Sequence, residues 1–341
     1  MQNKIAPHTW EKLYQLAGNF FEMAPWTWML EMDLFGVAPN EDENDVGYCC
    51  ILGPQRGGGG LAIYKGLKGL VSYETMLESD VDVPGFGVVF QQHCLLLAFL
   101  PKDSLSLEER TLVETYCPAL PPKHAWPVLR DYTPGWLPWP IQTEEQAHWM
   151  KVGIEQAMEV ASRFKQDEDL LDHVADNQSL LLVRTNTTPD SWIDTWRPLD
   201  EGEYVDRGIH VNRLFLLSNL SDIPRQEDVW LTGWVYFPKP VYEAYDRPFF
   251  PLMLVMIDTE TRQLLGYELF RPGEEERMIQ QAFVRIVREK GYLPSRLLVE
   301  DGAFLLPWRE IGKAINLRVE MDRQSELIRE VKDRLFGSLS V

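Results

Sequence analysis

Apolar residues recur at three- and four-residue spacings across residues 9–21, at Trp10, Leu13, Tyr14, Leu16, Ala17, Phe20 and Phe21. That period predicts an amphipathic helix with Thr9 as its N-cap. Residues 46–52 and 61–64 read as strands on either side of a glycine-rich hairpin loop, Pro54-Gln-Arg-Gly-Gly-Gly-Gly60. Residues 67–78 read as a helix, and the apolar runs 87–92 and 94–100 as strands. At 106–115 a helix opens on a capping box, Ser106-Leu-Glu-Glu109. Residues 118–140 hold seven prolines and read as an extended strap pinned by its aromatics, neither regular helix nor central strand. A long helix follows at 143–164, then short strands at 179–185 and 193–197.

The last third has a sharper pattern. Strands are predicted at 229–237, 252–257, 264–270, 296–299 and 317–320. Helices are predicted at 274–290, 307–313 and 325–336. In the first of these helices Met278, Ile279, Ala282, Phe283, Ile286 and Val287 form one stripe, and Gly291 ends it. Residues 200–206 and 221–227 read as breaks. A chain of 341 residues suggests two domains at roughly 100–200 residues each. The expected division is an α+β domain over 1–220 and an α/β domain over 225–341, a mixed α+β fold overall.

Composition adds a charge argument. With 33 basic and 52 acidic residues the net charge is −19, which disfavours nucleic acid and anionic membranes as partners. No apolar run approaches the ~20 residues of a membrane span. The start, MQNKIAPHTW, has no leader pattern, and four cysteines are too few for a disulfide framework. Together these features predict a cytoplasmic setting. Twelve tryptophans, several inside periodic segments, read mainly as core.

Candidate chemistry is sparse. Arg56-Gly-Gly-Gly-Gly60 lacks the Gly-Lys-Ser/Thr of a phosphate loop and is followed by a strand. Cys49 and Cys50 are adjacent on a strand, as are His93 and Cys94, so neither pair shares a face. No zinc spacing and no Gly-x-Ser-x-Gly is present. His8, His93, His124, His148, His173 and His210 sit in no motif. Glu274–Glu276 fits first-turn charge at a helix start. Trp126, Trp136 and Trp139 could line a groove, although pinning the strap is the simpler reading.

The C-terminal order β-β-β-α-β-α-β-α resembles the ribonuclease H-like fold. Leu297-Leu-Val-Glu-Asp-Gly-Ala-Phe304 is similar to the strand-acid-Gly-x-Phe segment of transposase and integrase domains of that fold. The resemblance implies a divalent-metal position at Asp301, with Asp258 and Glu300 as further candidate ligands for Mg or Mn. The first strand, Val229-Trp-Leu-Thr-Gly-Trp-Val-Tyr-Phe237, carries no acid, so a metal-dependent phosphoesterase or nuclease would have a reduced site. Glu320, Glu326, Glu330 and Asp333 are further acids near the last strand and helix. The patterns Trp10–Leu13, Pro25-Trp-Thr-Trp-Met29, Asp33-Leu-Phe-Gly-Val37, Gly47-Tyr-Cys49 and Gly60-Leu-Ala-Ile-Tyr64 resemble a bacterial two-domain family of uncharacterised proteins. The expected function is a non-catalytic binding or interaction module without a cofactor, acting on a protein or small molecule. The alternative is the metal-dependent phosphoesterase.

Overall fold

Pro7 opens the first helix, α1 (Pro7–Met23), because its fixed φ suits the first helical position. The N-cap is Ala6, which has no side chain to offer, so Thr9 is not the cap. Its hydroxyl instead donates to Glu144 at 3.3 Å, while Ala6 N donates to the same carboxylate at 2.6 Å. In this computed structural model the described residues are 5–40, 42, 45–54, 59–78, 90, 92–119, 122–175, 178–188, 191–199, 211–243, 247–300, 305–322 and 326–336. They form a mixed α+β structure with eight α-helices and two mixed sheets. The expected strand at 87–92 lies mostly outside them, as does the break at 200–206.

The chain divides into two units, Met1–Pro134 with Pro138–Gly202, and Gly135–Leu137 with Glu203–Val341. The first unit is a nine-stranded sheet carrying helices. Its strands are β1 (Phe35–Ala38), β2 (Gly47–Leu52), β3 (Gly60–Lys65), β4 (Cys94–Leu100), β5 (Trp126–Tyr132), β6 (Trp139–Pro140), β7 (His173–Ala175), β8 (Gln178–Thr188) and β9 (Ser191–Pro198). The order is β6-β5-β4-β3-β2-β1-β8-β7, with β9 also pairing β8. All pairs are antiparallel except β1 with β8. Besides α1 the helices are α2 (Gly66–Glu78), α3 (Leu107–Tyr116) and α4 (Glu144–Phe164). Both α3 and α4 open on complete capping boxes, Ser106 with Glu109 and Thr143 with Gln146. Trp10, Leu13, Phe20, Trp149, Met150 and Ile154 bury against the apolar side chains of β2–β5.

The strap reading needs correction. Trp126–Tyr132 is an inner strand, paired with β4 on one side and β6 on the other. Proline is tolerated there for a geometric reason. Leu129 O accepts from Ile141 N at 3.1 Å, so Leu129 faces away from β4. Pro127, two residues earlier, faces the same way, where the two-residue β6 does not reach. Its missing N–H therefore removes no ladder bond.

In the second unit, α5 (Arg213–Leu220) precedes β10 (Val229–Tyr236), β11 (Leu252–Asp258), β12 (Leu264–Phe270), α6 (Glu275–Lys290), β13 (Arg296–Val299), α7 (Leu305–Ile315), β14 (Arg318–Met321) and α8 (Leu327–Phe336). The strand order is β12-β11-β10-β13-β14. The first three strands pair antiparallel, and β10, β13 and β14 run parallel through the helical crossovers α6 and α7. Helices cover both faces. Trp230, Leu254, Met256, Phe283, Val299 and Trp308 form one core, and Leu231, Val255, Ile257, Ile328 and Val331 the other. The expected break at 221–227 is a loop inside this unit, because Leu216 and Leu220 of α5 are buried with Trp230 and Phe283. The division falls earlier, and the strap residues Gly135–Leu137 also count with the second unit.

Candidate functional site

Asp258 ends β11, and its side chain has a local task. Oδ1 accepts from Glu260 N at 3.1 Å, Thr261 N at 2.7 Å and Thr261 Oγ1 at 2.9 Å. Those bonds satisfy the turn between β11 and β12, where Arg262 adopts a left-handed φ of 56°. A strand-end acid followed by Thr-Glu-Thr is thus an Asx-type turn cap.

Glu300 follows β13. Its N donates to Thr232 O at 3.1 Å, and its Oε2 lies 2.9 Å from where a side chain at Gly233 would begin. Asp258 pairs with Trp230 on β10, whereas Glu300 lies beside Gly233. Three strand positions separate the two levels, about 10 Å, and they flank β10 on opposite sides. They also face opposite ways. Asp258 shares the parity of Trp230 and Met256, in the α6–α7 core, while Glu300 shares that of Gly233 and Leu231, under α8. One cation cannot bridge this pair. Asp301 lies outside the described residues.

The centre of β10 is filled rather than open. A Cβ at Gly233 would meet Ile328 Cδ1 at 2.7 Å and Cγ1 at 2.8 Å. Helix α8 thus sits directly on the strand at Gly233. Thr232, beside it, is fully buried and donates its hydroxyl to Val255 O at 3.1 Å. Two of the other acids are engaged elsewhere. Glu320 pairs with Arg296 and Arg318, and Glu330 pairs with Arg262. Among the described residues no group of three or more His, Cys, Asp or Glu could hold a metal ion.

Burial, then the neighbouring Cys50, pushes the Cys49 thiol up, and burial does the same to Cys94, so neither is a ready thiolate. His93 is pulled below its ordinary value by burial, and its backbone N donates to Ser72 Oγ at 2.8 Å. His8, His124, His148 and His173 are exposed, and His210 is outside the described residues. The glycine-rich segment is flanked by the antiparallel pair β2 and β3, not by a strand and a helix. Residues 55–58 of that segment lie outside the described residues. Trp10, Trp126, Trp149, Trp230 and Trp308 are buried, and the other tryptophans are half-buried. Sequence reasoning missed a cavity on the second unit between α7 and β14. Its signal, the three basic residues Arg309, Lys313 and Arg318, is visible only once the helix and strand are known to abut.

No described helix is long and apolar enough to cross a membrane. No curated protein matches the sequence. Residues 216–336 match a domain of unknown function, DUF6930, whose start within α5 agrees with that helix's place in the second core. Residues 10–184, more than half of the chain and spanning β1 to the middle of β8, match another domain of unknown function, DUF7309, and the chain belongs to that family.

Proposed function

We propose that the chain is a non-catalytic binding or interaction module whose second unit has a ribonuclease H-like topology without working nuclease carboxylates. The strand order β12-β11-β10-β13-β14, with three antiparallel strands followed by two parallel ones, supports that topology. The observation that carries the reading is the first strand of that topology, β10, which holds no acid and whose Gly233 is roofed by Ile328. Two-metal chemistry needs carboxylates on both ions, and Asp258 and Glu300 project from opposite faces. The partner is a protein or small molecule, with nucleic acid disfavoured by a net charge of −19. A cytoplasmic setting is supported by the four free cysteines.

The competing reading is a phosphoesterase holding Mg or Mn on Asp258, Glu300 and Asp301. Calorimetric titration of the full chain with magnesium and manganese separates the two. The module reading expects no saturable heat and no rise in melting temperature at millimolar metal. Stoichiometric binding that disappears in Asp301→Ala would favour the phosphoesterase instead.

A further inference from the structure

We infer that the cavity between α7 and β14 is a binding site for a small phosphate-bearing molecule. The inference deepens the binding-module reading and rests on it for its role. The cavity measures about 380 Å³ and is lined by Ser295, Arg309, Gly312, Lys313, Asn316 and Arg318, with Leu317 and Val319. That volume lies within the ~300–1,000 Å³ usual for small-molecule sites. None of the lining residues is acidic, in a chain with 52 acidic against 33 basic residues.

The local charge is in surplus. Arg296 and Arg318 share the single carboxylate of Glu320, and Lys313 pairs with Glu310 at 2.5 Å. Arg309 has no ion pair or hydrogen-bond partner among the described residues and is exposed. Three lining cations, Arg309, Lys313 and Arg318, thus stand against two carboxylates, one of which is shared with Arg296 outside the lining. The Lys313 and Arg318 side chains are each 72% exposed, and exposed pairs are weak enough for an anion to exchange with them.

The simplest structural role for these cations would be to offset the carbonyls at the end of α7. Other groups already serve two of those carbonyls. Arg225 Nη2 donates to Ile315 O, and Leu317 N donates to Gly312 O at 2.8 Å. The close approach of helix and strand also fixes the cavity floor. A Cβ at Gly312 would lie 2.6 Å from Leu317 O and 2.7 Å from Val319 Cγ2. Asn316, at a left-handed φ of 56°, reverses the chain at the rim. Two guanidiniums and an ammonium around one small hollow match a multiply charged group with several acceptor oxygens. Phosphate fits that description better than a single carboxylate.

The test is calorimetry of the full chain with inorganic pyrophosphate, in low salt with a chelator and no divalent metal. Saturable binding is expected. Arg309→Gln with Arg318→Gln should weaken it about tenfold or more, the scale of one to two charge-assisted hydrogen bonds. Arg277→Gln, a 73% exposed arginine on α6, should leave it unchanged. Absence of saturable binding overturns the inference, as does equal binding by all three proteins. Tighter binding of a short oligonucleotide than of pyrophosphate overturns the small-molecule assignment. Divalent-metal binding, measured separately without pyrophosphate, overturns the module reading alone and leaves the cavity result standing.

Discussion

Arg130 holds Glu109 by two points: Nε donates to Oε1 at 2.6 Å and Nη2 to Oε2 at 3.1 Å. The same carboxylate accepts from Ser106 N at 2.8 Å as the second half of the α3 capping box. One side chain therefore caps the start of a helix and anchors it to the inner strand β5. The Glu109 and Arg130 side chains are only 6% and 18% exposed. Removing either partner leaves a buried charge unpaired, which costs about 3–5 kcal/mol. Arg130→Ala and Glu109→Ala should each lower the first unit's stability by about that much, and the double variant by clearly less than their sum. Urea unfolding measures this. Single losses under about 1 kcal/mol would show that the pair is decorative.

Acid should destabilise the first unit in two steps. His93 is held below its ordinary value of 6.5, first by burial, with Lys68 and Lys65 adding and Asp131 opposing. The unfolded chain therefore takes up that proton more readily, so stability is full above about pH 6.5 and falls as pH drops below it. Burial alone would raise the Glu109 carboxyl, but Arg130 and Ser106 hold it below its ordinary 4.5. Its contribution is present above pH 4.5 and is lost as pH falls through the lower folded value. Melting temperature should decline first below 6.5 and more steeply below 4.5. His93→Gln should abolish the first decline and keep the second. An unchanged first decline in that variant would assign it to another group.

Signals in the sequence are legible where the structure they specify is local. The Ser106–Glu109 box, the fully buried β11 and the left-handed Gly291 after α6 are all fixed within a few residues. Non-local facts were not legible. Pro127 argues against an inner strand unless β6 is known to stop short of it. Helix α5 escaped notice because its apolar residues lie on both sides, with Leu214 82% exposed and Leu216 fully buried. The separation of Asp258 from Glu300 follows from strand register, which no spacing within either segment encodes. A turn cap and a metal ligand both place an acid at a strand end.

Glycine at position 153 sets how closely α4 can lie on the sheet. A Cβ there would sit 2.2 Å from Ile63 Cδ1 on β3, well inside contact. Gly153→Ala should therefore cost about 1–3 kcal/mol of overpacking, partly offset by the ~1 kcal/mol better helix propensity of alanine. Ile63→Val removes the offending methyl and alone costs about 0.5–1.5 kcal/mol. Combined, the two changes should be more stable than their sum predicts, by about 1 kcal/mol or more. A double-mutant cycle in urea reads this coupling. Strict additivity would mean that the helix shifts away instead of the side chains clashing.

Asp258 offers the sharpest link between stability and function, because its two readings predict opposite responses. As a turn cap, it loses three hydrogen bonds to Oδ1 on substitution by alanine. Loss of a cap of this kind costs about 0.5–2 kcal/mol, so Asp258→Ala should destabilise the second unit on that scale. Asp258→Asn keeps an acceptor oxygen in the same place and should be milder. As a metal ligand, it would behave in reverse, since removing an acid from an empty cation site relieves repulsion and stabilises the fold. Thermal unfolding of the three proteins without metal, repeated with millimolar manganese, decides between them. The cap reading expects alanine below asparagine, asparagine near the parent, and no metal-dependent shift in any of them. A parent protein less stable than Asp258→Ala without metal, and more stable with it, would restore Asp258 to a cation site.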